Sequence, residues 1–174
     1  QREDRLFYAV DRVGAWHERA DGWDPRERVR FYELLSGKGI GMTPFETITA
    51  GIDAAAGDAD ARRGADALLT WGEGVLENWM EARDETPTAS EREGFRLLAL
   101  HRQGAKGDPS FNACRETCRE LVYHRNLIHA EPENVETPKR LKMAAMVARH
   151  LCLFIQGKMK EDAMGEFCCS SRPL

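Results

Sequence analysis

A polar residue followed by proline recurs at Asp24-Pro25, Thr43-Pro44 and Thr137-Pro138, and each pair opens a run of apolar residues at helical spacing. Aspartate and threonine can accept from the unpaired N–H groups of a first turn, and proline at the first helical position gives up no hydrogen bond. No stretch alternates apolar and polar residues as a half-buried strand does. The punctuation therefore restricts the chain to helices joined by short connections, and the expected fold class is all-α, a single bundle of six or seven helices.

Leu6, Val10, Val13 and Trp16 define a helix over 5–20, and Phe31, Leu34 and Leu35 define a second from Asp24 to near Gly37. Gly37-Lys38-Gly39-Ile40-Gly41 follows no strand and lacks the Walker pattern, so it reads as a helix–helix turn rather than a phosphate loop. Thr43 and Glu46 are spaced as a capping box for a helix that stops at Gly57. A longer helix is expected over 60–83, bent at Gly72 and Gly74. Ser90 and Glu93 form a second box, for a helix over 90–102 ahead of a glycine-containing loop. The next helix spans 114–130 and Pro132 ends it. The last begins at Thr137, with Leu141, Ala144, Ala145, Ala148, Leu151, Cys152 and Ile155 on one face, small enough for close packing against the 114–130 helix. Residues 1–164 are expected to form one domain and 165–174 a flexible C-terminal tail.

Composition narrows the function classes. A net charge of −4 over 174 residues excludes a whole-surface cationic field, so any RNA contact must be local. No apolar run approaches the ~18 residues of a membrane span, and no charged-then-apolar leader is evident, so a cytoplasmic location is expected. The five cysteines are odd in number and cluster late, unlike a secreted disulfide framework. Cys114, Cys118 and Cys152 read as reduced, half-buried hydrophobes, and Cys168 and Cys169 as accessible thiols. A zinc site at Cys114 and Cys118 lacks a second well-spaced pair, so no metal and no cofactor are expected. Trp16, Trp23, Trp71 and Trp79 read as core or interface anchors. His17, His101 and His150 are isolated, and Glu73 and Glu77 share a helical face as surface charge.

The chemistry-bearing stretch is Tyr123-His124-Arg125-Asn126-Leu127-Ile128-His129-Ala130. Arg125 and His129 lie four apart and share a helical face. Arginine grips phosphate with a two-pronged fork, and histidine titrates near neutrality. The pair suits metal-independent cleavage of a phosphodiester: Arg125 would hold the phosphate, His129 or His124 would move the proton, and Asn126 would orient the histidine. Arg119 and His124 form a second candidate pair. Lys139, Arg140, Lys142 and Arg149 on the last helix would then track an RNA backbone. The plain alternative is a solvated stripe, with Arg125 paired to Glu131 or Glu133.

The stretch resembles the motif of the HEPN family, all-α domains that bind and cleave RNA. The hallmark of that family is an arginine, often followed by Asn or His, then a histidine after four to six residues, on the helix before the last. Only three residues separate Arg125 from His129, whereas Arg119 and His124 meet the literal spacing with Glu120 in place of Asn or His. The resemblance covers residues 90–160. It implies RNA as partner, a homodimer and a composite ribonuclease site at Arg125, His129, Arg119, His124 and Asn126.

A second resemblance covers residues 25–110. Phe31-Tyr32-Glu33-Leu34-Leu35, Gly39-Ile40-Gly41-Met42 and the Trp79 region up to Gly104 are similar to the cytoplasmic domain of pilus-assembly and type II secretion inner-membrane proteins. That likeness implies a non-catalytic helical scaffold whose partner is another protein. The two readings separate on one observation. A catalytic site needs its Arg and His open to a cleft, whereas a scaffold ion-pairs them and exposes an apolar patch elsewhere.

Overall fold

The computed structural model describes residues 42–161, and the expected helices over 5–20 and 24–37, the glycine turn before Met42 and the tail after 164 lie outside them. Five α-helices and one 3-10 helix make up the described residues: α1 (Phe45–Ala56), α2 (Ala61–Glu81), α3 (Arg96–Gly104), the 3-10 helix (Pro109–Cys114), α4 (Arg115–Ala130) and α5 (Thr137–Glu161). None of them is long and apolar enough to cross a membrane. The all-α class holds for the described residues, among which no β-strand occurs.

Helix α2 is the central post and packs against α1, α3, α4 and α5. Its start is fixed by Asp60, whose side chain accepts from the N–H groups of Arg62 and Arg63. The helix runs unbroken through Gly72. Gly72 is there for contact: a Cβ at that position would lie 3.0 Å from Leu121 of α4 and 3.3 Å from Leu97 of α3. Trp79, in the last turn of α2, is buried with its ring centroid 5.2 Å from that of Phe111. Burying side chains of this size contributes on the order of 2–3 kcal/mol each.

The apolar face of α5 is buried as its spacing implies, from Leu141 through Ala144, Ala145, Ala148, Leu151 and Cys152 to Ile155. It packs against α1, α2 and α4. Cys114, Cys118 and Cys152 are free and buried, more deeply than the half-buried placement expected for them.

Two starts differ from the sequence expectation. The Thr43 side chain does not cap α1, whose first residue follows Pro44. Instead the buried Asn78 of α2 brackets the Thr43 backbone: its Oδ1 accepts from the Thr43 N–H at 2.9 Å, and its Nδ2 donates to the Thr43 carbonyl at 2.7 Å. Helix α3 starts at Arg96, not Ser90. Glu93 and Gly94 both take positive φ, +54° and +80°, and the backbones of Arg92 and Phe95 bond reciprocally across them. Such a turn is incompatible with a right-handed helix through Glu93. Gln103 and Arg96 hold the preceding segment against α3, bonding the backbones of Thr86 and Thr88.

Candidate functional site

Arg125 and His129 do converge, and the group on which they converge is Asp66 of α2. Arg125 Nε donates to Asp66 Oδ1 at 2.8 Å, and His129 Nε2 lies 2.9 Å from the same oxygen. The expected partners of Arg125, Glu131 and Glu133, are not used; Glu131 instead accepts from Arg140 at 2.9 Å. The Arg125 guanidinium also lies 5.8 Å from the centre of the Phe95 ring, and one of its terminal nitrogens is 3.4 Å from Asn126 Oδ1. A nitrogen of Arg62, in the first turn of α2, reaches the His129 carbonyl at 3.5 Å. Helices α2 and α4 are thus joined by a charged cluster at the edge of the core, in which Arg125 and His129 remain partly exposed.

This geometry has two chemical consequences. The carboxylate orients the imidazole, as a buried acid does in many catalytic sites. It also matches the Arg125 charge, which weakens the pull of that guanidinium on an incoming phosphate.

Arg119 and His124 do not come together. Five helical residues separate their directions by about 140°. Arg119 is gripped by both carboxylate oxygens of Glu93, at 2.8 and 3.3 Å. His124 lies 3.7 Å from Glu120 and rests against the edge of Tyr123, with its Nδ1 buried and unpartnered. The basic stripe of α5 is largely matched too. Lys139 pairs with Glu136 at 3.3 Å, Arg140 with Glu131, and Arg149 with Asp53 of α1. Lys142 alone of the four has no carboxylate partner among the described residues.

Other groups depart from their sequence reading. Glu73 is not a surface charge: burial pushes its carboxyl up to about 7, against the pull of Arg96 at 3.5 Å and with a push from Glu77. Arg96 is shared with Glu77 at 2.5 Å. His101 is a core histidine whose Nε2 meets the Phe111 carbonyl at 3.1 Å.

The feature the sequence reading missed lies on the outer side of α5. Met143, Met146 and Leu153 are 40, 61 and 67% exposed. With the exposed His150 they step by three, four and three residues, so they form one seam. The signal was present in the sequence, but the buried stripe of the same helix masked it. Compared with family models, with curated proteins and with solved structures, the chain matches none.

Proposed function

We propose that the chain is a non-catalytic helical interaction module, and that the outer face of α5 receives an amphipathic helix of a protein partner. The single observation that carries this reading is the exposed seam of Met143, Met146 and Leu153 on a helix whose opposite face is fully used by the core. Isolated exposed apolar residues need no explanation, but three in register on one helix face do. Lys142, beside the seam and without a carboxylate partner among the described residues, favours a partner with acidic residues flanking its apolar stripe. The pairing of Arg119, Arg125, Arg140 and Arg149 to carboxylates of the same chain supports the same reading. It also fits the scaffold role implied by the likeness to pilus-assembly and secretion proteins. The test is the size of the native assembly. The parent chain should elute in a complex from its own cells, and Met146→Glu/Leu153→Glu should elute as the free chain with its thermal melt unchanged.

One observation favours a second reading, a metal-independent ribonuclease of HEPN type acting as a dimer: Asp66 fixes His129 beside Arg125. Under that reading the parent cleaves a mixed-sequence RNA in EDTA to cyclic-phosphate ends, and His124→Ala/His129→Ala does not. Absence of both cleavage and RNA binding removes it.

A further inference from the structure

A cavity of about 280 Å³ opens among the α3 helix, the 3-10 helix and the first turns of α4. Four arginines line it: Arg92, Arg102, Arg115 and Arg119. Leu98 and Ala105 provide apolar wall, and Asn112 adds an amide. His101 is also in the wall, but its Nε2 is taken up by the Phe111 carbonyl. Two carboxylates reach these arginines. Glu93 grips Arg119 and lies 3.6 Å from Arg92 Nε, and Glu116 lies 3.8 Å from Arg115 Nε, its side chain 81% exposed. Arg102 has no carboxylate partner among the described residues. Four guanidinium groups against two carboxylates leave an excess of two positive charges in a chain of net charge −4. Like charges gathered in a concave surface repel one another, and an anion with several acceptor oxygens relieves that repulsion.

We propose that this cavity binds the phosphate group of a compact phosphorylated small molecule. Guanidinium forks match phosphate oxygens in pairs, which a lone ammonium cannot do. The volume sits near the lower end of ordinary ligand pockets, enough for a sugar phosphate or a mononucleotide and too small for a longer chain. Glu93 acts as a built-in competitor. It sits at positive φ on the turn before α3 and occupies the fork of Arg119 that a phosphate would take. The site is separate from the α5 seam and from the Asp66 cluster, and the proposal stands or falls apart from both.

The test is calorimetric titration of the full chain at fixed ionic strength with pyrophosphate, with adenosine monophosphate and with a short single-stranded RNA. Saturable one-site binding of pyrophosphate or the mononucleotide is expected. Arg102→Gln/Arg115→Gln, at exposed positions, should weaken it by about tenfold or more. Glu93→Gln should tighten it several-fold by freeing Arg119 and Arg92, a gain that damage to the fold cannot produce. Tighter binding of the mononucleotide than of pyrophosphate would show that the Leu98 and Ala105 wall is used. No saturable binding up to about 10 mM, or binding unchanged in all the variants, would overturn the proposal. Binding of the RNA alone through these arginines would overturn the assignment to a compact ligand.

Discussion

Replacing Glu73 with glutamine should change the stability of this protein in a pH-dependent way. The carboxyl ordinarily titrates at 4.5, and burial on α2 raises it to about 7. Between those values the folded chain holds a proton that the unfolded chain releases. Stability therefore falls as pH rises through that interval; the contribution is fully present below 4.5 and lost above about 7. At ~1.4 kcal/mol for each pH step, the interval corresponds to about 3 kcal/mol. Glutamine has nearly the same shape and does not titrate, and Arg96 keeps its contact with Glu77. Urea unfolding at pH 5 and pH 8 measures the difference. At pH 5 the Glu73→Gln variant and the parent should agree within about 1 kcal/mol, and at pH 8 the variant should be more stable by about 1–3 kcal/mol. With a slope of about 2 kcal/mol per molar urea, that is a midpoint shift of roughly 0.5–1.5 M. A variant less stable than the parent at pH 8, or a difference that does not change with pH, would refute the reasoning.

Other consequences are as direct. Asn78→Ala removes two part-buried hydrogen bonds from a buried amide to the Thr43 backbone and should cost about 2–3 kcal/mol, read as a fall in melting temperature of roughly 6–10 °C. Gly72→Val places side-chain atoms against Leu121 and Leu97 and should cost more than 2 kcal/mol, about the upper range for overpacking, in the same melt. Lys158→Met removes the 3.0 Å pair with Asp108 and the cation over Trp79, and a loss of about 1–3 kcal/mol is expected by urea titration. Asp66→Ala acts on a partly exposed cluster, and a change of no more than about 1 kcal/mol should be found.

Much of the helical plan was legible because its signals are local. Helix α2 begins at Ala61, α4 ends at Ala130 just before Pro132, and α5 begins at Thr137, each close to where the residue types place it. The buried face of α5 followed from spacing alone. Ser90 and Glu93 misled because a capping box is defined by residue types, whereas the turn at Glu93-Gly94 depends on where Gln103 and Arg96 tether the chain. Thr43 misled for a similar reason: its partner, Asn78, lies 35 residues away. The Arg125 and His129 pairing was visible as an i, i+4 face, but nothing in the sequence points to Asp66 as the acid between them. The four arginines of the cavity are likewise scattered over 28 positions and meet only through the packing of α3 on α4.

The most direct test of the central claim is site-specific photocrosslinking in the cells that make this protein. A photoreactive residue at Met146 should give discrete protein adducts, while the same residue at the exposed Glu133, away from the α5 seam, should give none. RNA adducts at Met146, or equal adducts at both positions, would contradict the assignment of the α5 face as a protein-binding surface.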